Sequence, residues 1–302
     1  MGHPLARAGQ MRFEFLPLRF EFTARESLFF PPGKAANTLR GALGLTMKRI
    51  ACDTACQDAR TCPIRQSCPY AKVFEPRANG RGPSGLSDSP RPFVFRARHL
   101  DGTAVDPGRP FHFDLNVFSK DPAMLACFER AFTELAQEGL GPTRGKADLQ
   151  SIRLLSPTEP AFVDLAPRAA TPSKIRVDFL SPTELKHKGH VVDRPDFPIL
   201  LGRIRDRIAT LASLYGEALA IDFQVLGTRA ANVRMARCEV RRIDVNRRSS
   251  RTGQRHSLGG FVGFAEYEGD LAEFLPWLEA ARWTGVGRHA VWGKGEISVA
   301  RA

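Results

Sequence analysis

The fold is decided first by residues 16–50, which read LPLRFEFTARESLFFPPGKAANTLRGALGLTMKRI. The early part alternates apolar with other side chains, as a half-buried strand does, at Leu16, Leu18, Phe20 and Phe22. Phe13 and Phe15 precede this run out of phase, which predicts a bent strand. After a break at Pro31-Pro32-Gly33, the apolar residues take the spacing of one helix face, at Leu39, Leu43, Met47 and Ile50. The stretch therefore predicts a strand followed by an amphipathic helix.

The remaining pattern completes this unit and then repeats it. Strands are predicted at 111–117 and 152–155, with a helix between them that begins at Asp121-Pro122 and ends at Gly139. The second half predicts a strand at 175–179, a helix over 200–214, and further strands at about 233–245, 258–267 and 289–299. A possible capping box at Asp270 and Glu273 starts its last helix, which Pro276 should kink or restart.

This order predicts an α+β protein of two tandem ferredoxin-like βαββαβ domains. The first spans residues 1–158 and carries a cysteine-bearing insert at about 51–92, and the second spans 159–302.

The charge of the chain points to a polyanionic partner. Lys and Arg number 44 against 32 Asp and Glu, a formal net charge of +12, and apolar residues make up 43% of the chain. Such a surface attracts nucleic acid, although a solvated basic surface has the same composition. We find no run of about 20 apolar residues and no signal peptide, so we expect a cytoplasmic protein that does not bind membranes.

Four of the six cysteines fall in one short segment, at Cys52, Cys56, Cys62 and Cys68. Cysteine clusters in cytosolic proteins bind metals more often than they form disulfides, so the segment predicts a structural zinc ion. An iron–sulfur cluster uses the same ligands, and four reduced cysteines remain the alternative. Cys127 lies on the apolar face of its helix and is assigned to the core.

An arginine-rich segment follows in the second half. It holds six arginines within fifteen residues, at Arg241, Arg242, Arg247, Arg248, Arg251 and Arg255. Guanidinium groups grip phosphates and stack on unpaired bases, and like charges at this density repel each other without a partner. The segment predicts an RNA-binding loop between two strands.

Two further segments have the composition of phosphate-binding loops. The first contains Lys186 and Lys188 and reads as a loop that grips the nucleic-acid backbone. The second is rich in glycine and basic residues, including Gly285, Gly287, Arg288 and Lys294. Its backbone amides and lysine suit phosphate, but a glycine-rich turn before a final strand needs no ligand.

Together these segments resemble the RAMP superfamily of CRISPR-associated proteins. The resemblance rests on LRGALG at 39–44, CPY at 68–70, FEP at 74–76 and GGFVG at 259–263. The arginine-rich segment, YEGD at 267–270 and the closing glycine-rich segment resemble more closely the family that processes precursor CRISPR RNA, known as Cas6. The likeness spans nearly the whole chain.

The resemblance implies two tandem RRM-like folds that hold CRISPR repeat RNA, or the crRNA made from it. It also implies cleavage that needs no metal, in which a 2′-hydroxyl attacks the adjacent phosphate and leaves a 2′,3′-cyclic phosphate and a 5′-hydroxyl. Many members carry a histidine on or just after the first helix, and residues 33–50 contain none. Members without it use clustered basic residues, which match Lys34, Arg40 and Lys48 here. Arginine is a poor base, so we expect these residues to act by stabilising charge and cutting to be slow.

A histidine elsewhere could supply the proton transfer. Candidates in basic surroundings are His187, His190, His256 and His289, and His256 is favoured because it follows the arginine cluster directly. Two other functions stay open. The chain could be a non-catalytic RAMP subunit that scaffolds crRNA with other CRISPR effector subunits, or a metal-stabilised DNA-binding regulator, which lacks a visible recognition helix.

Overall fold

The computed structural model describes residues 11–52, 61–76, 89–169, 172–248 and 255–302. Its α-helices are α1 (Ala35–Ala51), α2 (Pro69–Phe74), α3 (Pro122–Glu138), α4 (Phe197–Tyr215), α5 (Phe223–Ala230) and α6 (Leu275–Thr284). The strands of the first half are β1 (Arg12–Ala24), β2 (Leu28–Phe29), β3 (Phe93–Arg96), β4 (Ala104–Val105), β5 (Pro110–Val117), β6 (Ala147–Leu154) and β7 (Ala161–Asp164). Those of the second half are β8 (Lys174–Thr183), β9 (Leu185–His187), β10 (His190–Val192), β11 (Arg234–Ile243), β12 (Asn246–Arg248), β13 (Arg255–Ser257), β14 (Gly260–Glu268) and β15 (Ile297–Arg301).

Two antiparallel sheets share one topology. The first has the order β3-β5-β1-β6, and the second has the order β11-β14-β8-β15. In each, the first strand of a βαββαβ unit lies between its third and fourth strands, which is the ferredoxin-like arrangement. The α+β class and the twofold repeat predicted from the sequence are therefore confirmed.

The strand β1 serves both halves. Leu16, Phe20 and Phe22 are buried in the core beneath the first sheet, whereas Phe13 and Phe15 are buried in the core of the second half. Successive side chains of a strand point to opposite faces, so the change of phase in the sequence marks a change of buried face. Beyond residue 158, β7 still pairs with β1, and the second sheet begins at Lys174.

The helices follow their sequence signals closely. The carboxylate of Asp121 accepts from the backbone amide of Ala123 (3.0 Å) as the N-cap of α3, and Gly139 ends this helix. The core face of α1 is buried at Leu39, Leu43 and Met47. The helix α6 begins at Leu275 with Pro276 in its first turn, so the proline starts the helix.

The C-terminal segment departs from its prediction. A strand was expected from about His289, but residues 290–292 form a short 3-10 helix and β15 begins only at Ile297. Gly293 and Gly295 have φ angles of 72° and 67°, which a strand does not accommodate. The arginine-rich segment also differs from a simple loop, because its backbone forms the hairpin β12–β13. No helix within the described ranges is long and apolar enough to cross a membrane.

Candidate nucleic-acid interface

The basic residues predicted for catalysis are spread along α1. Lys34 is exposed at its N-cap position, Arg40 is half-buried, and Lys48 is half-buried in its last turn. A helix rises 1.5 Å per residue, so the backbones of Lys34 and Lys48 stand about 21 Å apart. These two lysines cannot act on one phosphate, and the structure groups only Lys34 and Arg40 near the start of the helix.

The guanidinium of Arg40 contacts two aromatic rings. Its guanidinium carbon lies 5.0 Å from the ring centre of Trp292 and 5.2 Å from that of Phe74. Both distances are those of cation–π contacts, which orient a guanidinium without neutralising its charge. Trp292 belongs to the second half of the chain, so this contact brings the glycine-rich segment onto α1.

His289 joins this group. Its ring centre lies 5.3 Å from that of Trp292, so its imidazole is no more than about 10 Å from the guanidinium of Arg40. Its backbone is left-handed, with φ of 65°. The sequence favoured His256, whose backbone pairs with Arg247 in the hairpin and whose side chain lies outside the described part. The structure therefore places His289 near Arg40, and the catalytic role of His256 stays a prediction.

Lys294 is buried, with 4% of its surface exposed, and its ammonium donates to the backbone carbonyl of Gly33 (2.8 Å). Burial lowers the pKa of Lys294, and the neighbouring carboxylate of Asp101 opposes this. The carboxylate of Asp101 accepts from the backbone amide of Ala35 (2.8 Å) at the start of α1, and burial raises its pKa. The predicted RNA contact of Lys294 stays a prediction, because this ammonium faces the other half of the protein.

Half-buried arginine donors also fix the end of α6, where the glycine-rich segment begins. Arg96 donates to the carbonyls of Arg282 (2.8 Å) and Trp283 (3.2 Å). Arg207 donates to the carbonyl of Thr284 (2.9 Å), and burial together with the charge of Arg96 lowers the pKa of Arg207 to about 10. Cations stabilise the carbonyl end of a helix, so these bonds hold the segment at its first residue, Gly285.

The hairpin β9–β10 presents the predicted gripping residues next to this segment. Lys186 is half-buried, and Lys188 is exposed at the turn with φ of 48°. The backbone amide of Arg288 donates to the carbonyl of Glu184 (3.0 Å), and the Arg288 side chain pairs with the Glu184 carboxylate. The structure thus places Gly287 and Arg288 against Glu184, two residues before Lys186, at the base of the hairpin whose turn carries Lys188.

The arginine-rich segment is described only in part. Arg247, Arg248 and Arg255 lie on the paired strands of the hairpin β12–β13, and Arg251 falls outside the described residues. The basic surface that can be placed in this region consists of Arg241 and Arg242, which are exposed at the end of β11.

The cysteine segment gives no support to a metal site. Cys56 lies outside the described residues, and among those described no three His, Cys, Asp or Glu side chains come together to hold a metal. Cys68 is buried in the first core with 4% of its surface exposed. Cys127 packs against this core, and burial raises the pKa of its thiol. Zinc or an iron–sulfur cluster on the four cysteines stays a prediction, which metal analysis of the purified protein tests.

Sequence reasoning missed Asp101, Trp292 and Arg96. Asp101 and Arg96 stand in no motif, Trp292 lies in the glycine-rich segment without a role of its own, and each has its partner more than sixty residues away. An aspartate that caps a distant helix leaves no local signal, since capping is recognised in sequence by position just before the helix.

Comparisons with known proteins agree with this geometry. A family model described as an N-terminal domain matches residues 13–170, and the model of the CRISPR-associated endoribonuclease Cas6 matches residues 177–297. No curated protein matches the chain at a significant level.

Solved structures of similar fold cover nearly the whole chain. A Cas6 product complex is 18% identical with a TM-score of 0.58, and the alignment covers 97% of this chain and 100% of that one. Cas6 of Thermus thermophilus is 17% identical with a TM-score of 0.54, over 97% of this chain and 100% of that one. A Cas6-RT-Cas1–Cas2 complex is 12% identical with a TM-score of 0.55, over 96% of this chain and 29% of that one.

At these identities the structures show a shared fold, and the family model adds a match in sequence over the second half. Taken together, they show that the second half of this chain, residues 177–297, belongs to the Cas6 family of CRISPR-associated proteins, and that the chain as a whole has the fold of solved Cas6 structures.

Proposed function

We propose that this protein is an endoribonuclease that binds CRISPR repeat RNA and cuts the precursor of crRNA without a metal. The observation that carries the proposal is the contact between Arg40 of α1 and Trp292 of the glycine-rich segment, which places a cation and a histidine close to a backbone rich in glycine. The Cas6 family match supports the choice of substrate.

In the proposed reaction, a 2′-hydroxyl attacks the adjacent phosphorus, and the bond from phosphorus to the 5′-oxygen breaks. A base takes the proton of the 2′-hydroxyl, and an acid supplies a proton to the leaving 5′-oxygen. The products are a 2′,3′-cyclic phosphate and a 5′-hydroxyl. Lys34 and Arg40 would stabilise the extra negative charge of the transition state, and Lys48 would contact RNA farther along α1. His256 and His289 are the candidates for proton transfer.

The remaining basic surfaces supply affinity in this proposal. Lys186 and Lys188 lie on the hairpin whose base contacts Arg288 of the glycine-rich segment, and phosphates of the repeat RNA would bind along this surface. The arginines of β11 to β13 extend the same charge. Tight retention of the product would let the protein enter a larger assembly with other CRISPR proteins.

The test is incubation of the purified protein with its own labelled repeat RNA in EDTA, followed by mapping of the product ends. We expect one cut with a cyclic phosphate end, and no cut when the nucleotide before it lacks its 2′-hydroxyl. Arg40→Met should slow the cut. Arg49→Met is the matched control, because Arg49 on the same helix pairs instead with Glu134 (3.2 Å).

A non-catalytic RAMP subunit is the second candidate function. The wide spacing of Lys34 and Lys48 and the absence of histidine from residues 33–50 favour it. Binding of the repeat RNA without cleavage would establish it and overturn the nuclease. Preference for duplex DNA in competition would overturn both and favour a DNA-binding regulator.

A further inference from the structure

Three consecutive residues of the glycine-rich segment run along the beginning of α1. Trp292 contacts Arg40 (5.0 Å), a β-carbon placed on Gly293 would lie 2.5 Å from that of Ala36, and Lys294 bonds to Gly33 (2.8 Å). Ala36 and Arg40 are four residues apart on one face of α1, and Gly33 lies just before the N-cap residue Lys34. The segment Trp292-Gly293-Lys294, here called the clasp, therefore fixes the register between the two halves of the protein.

Gly293 approaches Ala36 so closely that the clasp and α1 cannot move closer together. Any side chain at this position would push against Ala36, and its φ of 72° is also strained for other residues. The clasp thus lies directly against the helix, and a shift of one would displace the other.

Lys294 adds a directional bond at the end of the clasp. A buried ammonium is costly, and an apolar side chain of similar length would fill the same space at lower cost. The ammonium instead donates to Gly33 and is attracted by Asp101, which caps α1 through Ala35. The charge of Lys294 thereby fixes the start of the helix, where Lys34 projects into solvent.

The glycine-rich segment accordingly has two parts. Arg288 side-chain atoms are about half exposed (48%), beside the basic hairpin, whereas Lys294 is 4% exposed and faces the protein. The geometry points to Lys294 as a positioning residue. It holds Lys34 and Arg40 in a fixed place relative to RNA bound at Gly287 and Arg288. This inference rests on the proposed function. It implies that Lys294 affects the rate of cleavage and not the affinity for RNA.

The test measures the cleavage rate with protein in saturating excess over repeat RNA, and separately the dissociation constant of the RNA. A misplacement of about 1 Å can slow a reaction about a hundredfold, so Lys294→Met should lower the rate by that order. Its dissociation constant should stay within about threefold. Arg288→Ala should instead raise the dissociation constant and leave the cleavage rate at saturation close to that of the wild type. Lys174→Met is the matched control, since Lys174 lies at the opposite end of β8 and pairs with Glu266 (2.6 Å).

Asp101→Asn is a second variant in case Lys294→Met does not fold. Asparagine keeps an oxygen for the Ala35 amide and removes the charge that attracts Lys294, so the rate should again fall without loss of affinity. If both folded variants cut at the wild-type rate, or lose affinity and not rate, the inference is wrong while the nuclease stands. If the wild-type protein itself leaves the RNA intact, the proposed function and this inference fail together.

Discussion

The side-chain amide of Asn116 donates to the backbone carbonyl of Trp283 (2.8 Å), so a strand of the first sheet is bonded to the last turn of α6 in the second half. Asn116 is buried with 2% of its surface exposed. Arg96 makes similar bonds to the same turn of α6. Together these contacts join the two halves of the protein at the point where the glycine-rich segment begins.

Asn116→Leu should therefore destabilise the protein. It removes the donor and leaves the carbonyl of Trp283 with only the longer bond from Arg96 (3.2 Å). We expect a loss of about 1–3 kcal/mol in the free energy of unfolding, measured by urea denaturation. Asn232→Leu, at an exposed position, is the control and should change stability little. Equal effects of the two substitutions would show that the interfacial bond contributes nothing.

Two glycines inside α1 should respond oppositely to alanine. A β-carbon on Gly41 meets no atom within 4 Å, whereas one on Gly44 lies 3.2 Å from the ring of Phe74. Alanine stabilises a helix interior by about 0.8–1.0 kcal/mol relative to glycine. Gly41→Ala should raise the free energy of unfolding by most of this amount. Gly44→Ala should lower it, because the added methyl group crowds the ring of Phe74. Thermal unfolding of the two variants side by side measures the difference, and an equal gain in both would contradict the packing of α2 on α1.

Much of the fold is predictable because its elements carry local patterns. Alternation marked β5 and β8, and helical spacing with Asp121 and Gly139 marked α3. The prediction was wrong where backbone conformation decides the structure. The left-handed Gly293 and Gly295 prevent the long last strand that the apolar residues around them indicated.

The candidate site was less predictable for a physical reason. Composition places basic residues on loops, but it does not say which of them face solvent. Lys294 was predicted to bind phosphate, and no sequence pattern indicated its contacts with Gly33 and Asp101, which lie far away along the chain. Cys68 was predicted as a metal ligand from its spacing, and that spacing likewise did not indicate that its side chain packs in the first core.

His112 should make stability depend on pH in the mildly acidic range. Burial lowers its pKa below 6.5, and the charges of Arg19 and His99 act in the same direction. Between the folded and unfolded pKa values the unfolded chain binds more protons, so stability rises with pH there and falls as pH drops from 6.5 through the folded value. Asp114 and Glu21 also face His112 and oppose the shift without reversing it.

His112→Gln should flatten this part of the profile. The measurement is the unfolding temperature of both proteins from about pH 8 down to about pH 5, where an unperturbed histidine also titrates. His190→Gln, in the exposed hairpin β9–β10, serves as the control and should keep the wild-type slope. A profile of His112→Gln parallel to that of the wild type throughout would mean that His112 does not contribute.

Lys186 and Lys188 should bind RNA through charge alone. They stand on a hairpin whose turn at Lys188 and Gly189 has φ angles of 48° and 86°, and Arg288 bonds to Glu184 at the base of this hairpin. Each lysine that neutralises a phosphate releases counterions, and removing it should reduce the slope of log affinity against log salt by about 0.7–0.9. Lys186→Ala and Lys188→Ala should therefore weaken repeat RNA binding most at low salt and converge on the wild type as salt increases. Lys174→Ala removes the same charge at the far end of β8 and should leave the slope unchanged. If all three variants shift the slope equally, the lysines act through net charge, and the hairpin is not a binding surface.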